Sequence, residues 1–193
     1  EQIILPPFDY LTFTYSWTGN DGKDLDSATV IRNSGIPIGS RTTLDDYYVG
    51  YGGNGYGVEV DKYLKHGGDN TQSGDEGALV KWKDVLATKD YVSEGITTLY
   101  LDIYANWYNW RKDGNMSITF NTYKGNDGMV QDGFVFKPTG DTVLVSTKTI
   151  NNLNAYAAYS LNAHQPLDKM KKVYSKVATV EYDIRSKSAI LIG

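Results

Sequence analysis

Two acidic loops flanked by glycine hold the residues of this chain that could do chemistry. The first, at 19–26, reads Gly-Asn-Asp-Gly-Lys-Asp-Leu-Asp, and the second, at 67–76, reads Gly-Gly-Asp-Asn-Thr-Gln-Ser-Gly-Asp-Glu. Carboxylate and amide oxygens are the ligands of hard divalent cations, and calcium takes six to eight of them at roughly 2.3–2.6 Å. One loop rarely supplies that many, so the sequence predicts a calcium site only if the fold brings both loops together.

The spacing of the acids suits a shared cation. Asp24 and Asp26 flank Leu25, and on an extended strand residues i and i+2 point the same way, so both carboxylates can address one point while Leu25 faces the core. Asp75 and Glu76 are adjacent and need a tight bend, which the glycines around them permit. Two unit charges about 4 Å apart repel by ~1 kcal/mol in water and ~4 kcal/mol near a protein surface. Either the loops lie apart, or a cation holds them together.

Each loop alone is typical of a solvated turn, because Asp, Asn and Gly are ordinary turn residues. Neither loop has the spacing of an EF-hand, since the first lacks a glutamate at the twelfth position and flanking helices. The metal interpretation therefore depends on the two loops acting as one site.

The sequence does not favour an enzyme. It contains two histidines, His66 and His164, and neither lies in a nucleophile-elbow or zincin pattern, so both are interpreted as surface residues. There is no cysteine, which removes thiol catalysis and zinc–thiolate sites. A glycosidase needs one carboxyl kept neutral by apolar surroundings, whereas these carboxylates cluster in polar loops.

Composition narrows the classes of protein to which the chain could belong. A chain of 193 residues with 40% hydrophobic residues suits a single globular domain with a substantial core. The net charge of −4 argues against nucleic-acid binding. No stretch approaches the ~18–20 apolar residues of a membrane-spanning helix. Because the chain begins at Glu1 rather than Met, we expect it to be processed or cut from a longer protein.

Alternation of apolar and polar residues predicts an all-β fold, an antiparallel β-sandwich with little helix. The pattern is plain in Leu11 to Trp17 and in Leu99 to Trp107, where Trp107 is expected in the core. Runs at 97–108 and 116–124 are predicted to form a hairpin. Short helical turns are predicted at 83–86 and 166–172. Further predicted strands lie at 28–32, 47–51, 78–82, 134–136, 142–146, 155–161, 177–184 and 189–192.

The order of these motifs resembles the TerD family of tellurium-resistance and stress-response proteins. The resemblance is carried by Asp-Leu-Asp-Ser-Ala on an early strand, then Tyr-Tyr-Val-Gly-Tyr, Leu-Lys-His-Gly-Gly-Asp-Asn and Gly-Asp-Glu before a strand, and it continues through 80–86 and 96–104. It covers roughly residues 9–125. Members of that family are calcium-binding β-sandwiches. The resemblance therefore implies a calcium site formed by Asp24, Asp26, Asp69, Asn70, Asp75 and Glu76.

The chain departs from the family pattern in ways that limit what the resemblance implies. The second loop is shorter and has one acidic residue fewer before Glu76, which predicts one calcium ion where the family pattern could hold two. The Tyr- and Gly-rich segment 45–63 has no counterpart. Residues 126–193 resemble nothing and are expected either to complete a single sandwich domain of residues 1–193 or to form an assembly surface.

Three functions follow from these features. The first is a non-enzymatic module in which calcium is structural or regulatory, cytoplasmic if it is a TerD-type protein. The second is an assembly subunit, such as a virion, fibre or surface adhesin domain, that binds a protein partner or its own copies and lies in a virion or at a cell surface. The third is a carbohydrate-binding module that uses exposed aromatics such as Tyr56 and Trp110. Tyr47, Tyr48 and Tyr51 belong to the same aromatic stretch, for which strand packing is the simpler interpretation.

Overall fold

The structure, a computed structural model, describes residues 2–17, 24–51, 53, 58–70, 76–108, 113–156 and 165–193. Its strands, in chain order from β1 to β15, are Gln2–Leu5, Tyr10–Ser16, Leu25–Arg32, Pro37–Ile38, Thr42–Thr43, Val49–Gly50, Leu64–His66, Glu76–Val80, Thr98–Trp107, Asp113–Lys124, Met129–Asp132, Val135–Pro138, Val143–Tyr156, Ser175–Asp183 and Ala189–Ile192. The α-helices α1 to α3 are Val58–Asp61, Trp82–Leu86 and Leu167–Val173, and short 3-10 helices span Leu44–Asp46 and Val92–Glu94.

Two antiparallel sheets form a sandwich. The larger sheet has six strands in the order β1-β15-β14-β9-β3-β6, and the smaller has five in the order β13-β10-β2-β8-β7. The remaining strands form two small ladders, β11 with β12 and β4 with β5. The prediction of an all-β antiparallel sandwich with little helix is confirmed.

Alternation along the strands explains which faces are buried. On β2, Leu11, Phe13 and Tyr15 join the main core between the sheets, while Tyr10 faces the other side and packs in a separate cluster. On β9, Leu99, Leu101, Ile103, Ala105 and Trp107 face the main core, so the predicted position of Trp107 is confirmed.

Two smaller apolar clusters cover the outer faces of the sandwich. Below α3, the six-stranded sheet buries a group made of Ala28, Val30, Tyr48, Tyr104, Met170, Val173 and Tyr174. Below the hairpin of β11 and β12, the five-stranded sheet buries Tyr10, Leu79, Tyr123 and Phe136. Both sheets are thus partly covered on their outer faces, which is why β8, and β3 as far as Ile31, are buried at every residue instead of alternating.

The predicted hairpin of 97–108 with 116–124 is wrong. Strand β9 pairs with β3 and β14 in the six-stranded sheet, whereas β10 pairs with β2 and β13 in the five-stranded sheet. Consecutive strands with alternating apolar residues satisfy that pattern equally well when they cross from one sheet to the other, because alternation records which face is buried and not which strand is the neighbour.

Residues 126–193 contribute strands to both sheets. Strand β13 is an edge strand of the five-stranded sheet, and β14 lies between β9 and β15 in the six-stranded sheet. The predicted helical turn at 166–172 is present as α3, and that at 83–86 is present as α2. Within the described parts of the chain, no helix combines the length and apolar character needed to cross a membrane.

Candidate metal centre

Three strand ends bring four acidic residues of the two loops to one end of the sandwich. Asp24 directly precedes β3 and Asp26 lies within it, in the six-stranded sheet. Asp69 follows β7 by three residues, and Glu76 is the first residue of β8, both in the five-stranded sheet. Residues that lie 45 positions apart in the sequence therefore meet because the sheets face each other.

Three carboxylates form a compact group. One oxygen of each of Asp24, Asp26 and Asp69 lies within 4.8 Å of the corresponding oxygens of the other two. Asp24 and Asp26 are buried, and Asp69 is half-buried. This "Asp trio" joins the first acidic loop to the second, as the metal interpretation of the sequence requires.

The strand geometry of β3 sets the direction of the first two acids. Leu25 is fully buried in the main core, which turns its neighbours Asp24 and Asp26 to the opposite side of the strand. The backbone carbonyl of Asp24 accepts a hydrogen bond from the amide of Tyr108 at 2.8 Å, and Asp26 lies opposite Asn106 on β9. The main chain that presents both carboxylates is therefore held by β9.

The side chain of Glu76, on the five-stranded sheet, forms hydrogen bonds to the six-stranded sheet. Its side chain has no exposed surface, and its Oε1 accepts hydrogen bonds from the hydroxyl of Ser27 at 2.9 Å and from the backbone amide of Ser27 at 3.3 Å. Strand β6 pairs with β3 only at Ala28 and Thr29. The carboxylate of Glu76 forms its hydrogen bonds to Ser27, the residue of β3 just beyond the end of this pairing. Gly50 makes room for this arrangement, because a Cβ there would lie 1.9 Å from the Ser27 carbonyl oxygen.

The centre contains buried polar atoms that have no hydrogen-bond partner among the described residues. Three of them are carboxylate oxygens: Oδ1 of Asp24, Oδ1 of Asp69 and Oε2 of Glu76. Buried polar atoms in folded proteins nearly always have a hydrogen-bond partner. A buried oxygen without one therefore indicates a place where an ion or a water molecule binds. Carboxylate oxygens gathered without donors are what a cation satisfies.

Burial makes these acids hard to ionise without a cation. Burial, followed by the charge of Asp69, raises the pKa of Asp24 from 3.8 to about 6. Burial, with the charges of Asp24 and Asp69, raises the pKa of Asp26 to about 8. Burial raises the pKa of Glu76 well above its ordinary value, the charge of Asp26 adds to this, and the hydrogen bond from Ser27 opposes it.

His66, the last residue of β7, is a buried part of the centre, so its interpretation as a surface residue is wrong. Its side chain is only 7% exposed, its Nδ1 lies 3.1 Å from the Gly77 carbonyl oxygen, and its Nε2 lies 3.7 Å from Oε1 of Glu76. Burial lowers the pKa of His66 to about 4, against a smaller rise from the bond to Gly77. With its pKa near 4, the imidazole of His66 is neutral at pH 7 and does not form an ion pair with Glu76.

Two predicted ligands remain, Asn70 and Asp75. Asn70 is half-buried next to Asp69, and its place as a ligand stays a prediction. Asp75 lies outside the described residues, as do the aromatics Tyr56 and Trp110 and the second histidine, His164.

The aromatic stretch at 47–51 divides between core and rim. Tyr48 is fully buried and Tyr47 packs against the main core, whereas Tyr51 is 38% exposed. Burial and then the charges of Asp26 and Asp69 raise the pKa of Tyr51, so this ring lies near the carboxylates. Tyr51 is thus an exposed aromatic at the rim of the centre.

Sequence reasoning missed three residues that shape the centre: Ser27, Gly50 and the ring of His66. Ser27 lies next to Asp26 and His66 lies next to the second loop, so proximity in sequence was a usable signal for both. Gly50 is distant in sequence, and only the pairing of β6 with β3 shows its role.

The donor set fits a divalent cation. Asp24, Asp26 and Asp69 supply oxygen atoms of the kind that calcium binds, and their excess negative charge needs a positive partner. Comparison of the chain with protein-family models, with curated proteins and with solved structures found no match.

Proposed function

We propose that this protein is a non-enzymatic β-sandwich module that binds a divalent cation, with calcium as the ion predicted from the sequence. The cation has a structural or regulatory role in this proposal. One observation supports it above all: carboxylate oxygens of Asp24, Asp26 and Asp69 lie within 4.8 Å of one another, and Asp24 and Asp69 each have a buried oxygen without a hydrogen-bond partner among the described residues.

The electrostatics of the site also support a cation. Three carboxylates within 4.8 Å repel one another, at about 4 kcal/mol for each ionised pair in surroundings such as a protein surface. Protonation removes this repulsion by neutralising the carboxylates. The raised pKa values of Asp24 and Asp26 show that the neutral forms are favoured when no cation is bound. A bound cation would relieve it with all groups ionised, and binding would then release protons.

Calorimetric titration with calcium at pH 7.5 tests the proposal. We expect wild-type protein to bind, and Asp26→Asn to weaken binding at least tenfold because it removes one charged ligand without changing the size of the side chain. Glu76→Gln should also weaken binding while keeping an oxygen that Ser27 can reach. Glu94→Gln removes an exposed carboxylate paired with Lys89 and should leave the titration unchanged.

A titration without heat or saturation in wild-type protein, confirmed by equilibrium dialysis with radioactive calcium, would contradict the proposal. Equal binding by Asp26→Asn and wild type would show that calcium binds elsewhere. A role in stress response or tellurium resistance, which the resemblance to the TerD family implies, remains a prediction.

An assembly subunit is a second candidate, and one observation favours it. Strand β13 forms an edge of the five-stranded sheet, pairs on one side only within the described chain, and exposes Val143, Leu144 and Val145 at 59%, 54% and 37%. Edge strands of this kind are templates for pairing with another chain. Light scattering of the purified protein over a range of concentrations would detect such association, and a constant monomer mass would count against it.

A further inference from the structure

The outer side of the five-stranded sheet carries a patch of short, uncharged polar side chains. On β10, three polar residues alternate with Ile118 and Phe120, which belong to the main core, so the three point away from it. Three more lie opposite them on β13. The residues of β13 are exposed and those of β10 are half-buried. We name these six residues the polar face: Ser117, Thr119, Asn121, Thr147, Thr149 and Asn151.

Hydrogen bonds between the two strands hold these side chains in place. The Thr147 hydroxyl donates to Oδ1 of Asn121 at 2.7 Å, and the Ser117 hydroxyl donates to Oδ1 of Asn151 at 2.9 Å. The hydroxyl oxygens of the two threonines between these pairs lie 3.0 Å apart. A hydroxyl that has donated its proton can still accept, and each asparagine amide still has N–H groups to donate. The polar face therefore offers donors and acceptors in fixed orientations, which reduces the entropy lost on binding a ligand.

The polar face is flat and extends onto a third strand. Outward residues of one strand are about 6.8 Å apart and neighbouring strands about 4.8 Å apart, so three rows on two strands cover roughly 14 Å by 5 Å. Thr14 and Ser16 of β2 pair with Thr119 and Ser117 and widen the area by one strand. No side chain of this group is longer than asparagine, so an extended molecule can lie across all three strands.

A pocket of about 300 Å³ adjoins the polar face at Ser117. Its lining includes Trp17, Asn115 and Asn152, which brings an aromatic ring together with two amide groups. The volume is at the lower end of the range for small-molecule sites. An aromatic ring can stack on the apolar face of a sugar ring while the amides bond its hydroxyls.

The chemistry of the polar face selects one class of ligand. Its six residues include no positive charge for the phosphates of nucleic acids or lipids. They include no aromatic, Met or Arg residue of the kind that anchors protein interfaces, in which Ser and Thr contribute little. About 25–35% charged residues is typical of a soluble protein's surface, so the lack of charge on six neighbouring residues is itself unusual. A neutral molecule with many hydroxyl groups, each able to donate and accept, matches this surface.

We propose that the polar face and the adjoining pocket bind a neutral polysaccharide. This inference goes beyond the metal-binding function and does not depend on it, because no member of the Asp trio belongs to the polar face.

Affinity electrophoresis in native gels that contain dextran, mannan, xylan or mixed-linkage β-glucan tests the inference, with a gel lacking polysaccharide as reference. We expect at least one of these neutral polymers to retard wild-type protein, and the anionic polymer alginate not to do so. The double variant Thr147→Val and Thr149→Val removes two hydroxyls and keeps the side-chain shape, so binding should weaken about tenfold or more.

Lys148→Gln is the matched control for the double variant. Lys148 lies between the two threonines on β13 but pairs with the core residue Phe120, so it belongs to the opposite side of the strand. Its retardation should equal that of wild type. Thr149→Lys, a single change at an exposed position, places a long charged side chain on the polar face and should abolish retardation. Thermal unfolding of each variant verifies that it is folded.

Four outcomes would overturn the inference. They are no retardation of wild type by any of the neutral polymers, stronger retardation by alginate, equal retardation of wild type and a folded Thr149→Lys, and loss of retardation in the presence of a calcium chelator. The last result would assign sugar binding to the metal centre. Retardation that persists with chelator, in a protein that fails to bind calcium, would support the polar face while contradicting the proposed function.

Discussion

The carboxylates of the centre can be neutralised by protons or by a cation, and the surroundings of each residue determine the balance. Asp26 is the most affected member of the Asp trio, because it is buried and lies close to both other carboxylates. Its pKa of about 8 means that near neutral pH, without metal, it holds its proton for much of the time. The same burial that favours the proton makes an ionised Asp26 a strong ligand once a cation is present.

This balance predicts how the stability of metal-free protein depends on pH. An acid whose pKa is raised in the folded state binds more protons folded than unfolded, so stability falls as pH rises from the unfolded to the folded pKa. For Asp24 and Asp26 that window runs from about 4 to about 8. His66 acts in the opposite sense and only below its ordinary pKa of 6.5, where its stabilising contribution is lost as pH falls toward 4.

Urea unfolding of metal-stripped protein at pH 7.0 and pH 8.0 keeps the contribution of His66 small, because both pH values lie above its ordinary pKa. We expect lower stability at pH 8.0, a smaller difference in Asp26→Asn, and no fall when calcium is saturating. Equal stability of metal-free wild type at both pH values would show that the buried carboxyl groups do not titrate in this window.

At the scale of elements, the close approach of β6 to β3 depends on Gly50. Its φ of +147° is unusual for other residues, and a Cβ would collide with the Ser27 carbonyl. Gly50→Ala should therefore push β6 away from β3, lower the free energy of unfolding by more than ~2 kcal/mol and weaken cation binding.

Gly39→Ala is the matched control for that change. Gly39 also has a positive φ, of +76°, but a Cβ there meets no atom within 4 Å. We expect a cost of about 1 kcal/mol from backbone strain and unchanged cation affinity. Chemical unfolding and calcium titration of both variants check the comparison, and similar losses in the two variants would mean that the contact with Ser27 is unimportant.

The hairpin of β11 and β12 holds the segment that carries Asp69. The side-chain amide of Gln131 donates to the Gly67 carbonyl at 2.8 Å, and the ring of Phe134 lies against Gly68, where an added Cβ would come within 3.3 Å of it. A hairpin from the last third of the chain thus contacts the residues between His66 and Asp69.

Gln131→Ala should weaken calcium binding by roughly threefold to tenfold, because one hydrogen bond of about 1 kcal/mol that orders this segment is lost. Lys137→Ala removes an exposed side chain from the same hairpin, where it pairs with Asp132, and should leave affinity unchanged. Calorimetric titration measures both, and an unaffected Gln131→Ala would show that the hairpin does not position Asp69.

At the scale of the whole molecule, the centre is where the two sheets are joined by polar groups. Glu76 of the five-stranded sheet bonds Ser27 of the six-stranded sheet, and Asp69 meets Asp24 and Asp26 across the same gap. The hydroxyl of Tyr15 on β2 also donates to the Tyr104 carbonyl on β9 at 2.8 Å, and apolar packing of the main core adds to these contacts between the sheets. A cation in this place would act on the contact between the sheets and so on global stability.

Calcium at a hundred times its dissociation constant should stabilise the protein by about 2.7 kcal/mol. For a domain of this size that corresponds to a rise in melting temperature of roughly 5–10 °C. Scanning calorimetry with calcium and with chelator measures the shift, which should be largely lost in Asp26→Asn and retained in Glu94→Gln. A full shift in Asp26→Asn would show that calcium stabilises the protein through another site.

The class of fold and the first half of the candidate centre follow from the amino-acid sequence. Alternating apolar residues are enough to predict strands and their buried faces, because every second side chain of a strand points the same way. For the same reason, Asp24 and Asp26 were predicted to point to one side of the strand and Leu25 to the other, and in the structure Leu25 lies in the main core while the two carboxylates lie together.

Long-range contacts set which strands are neighbours and which residues meet across the sheets. The crossing of β9 and β10 to different sheets, the meeting of Asp69 with Asp24, and the burial of His66 beside Glu76 all depend on contacts between residues far apart in sequence. A strand's pattern records the polarity of its two faces and carries no information about its partner, and whether a polar side chain is buried depends on what the rest of the chain packs over it.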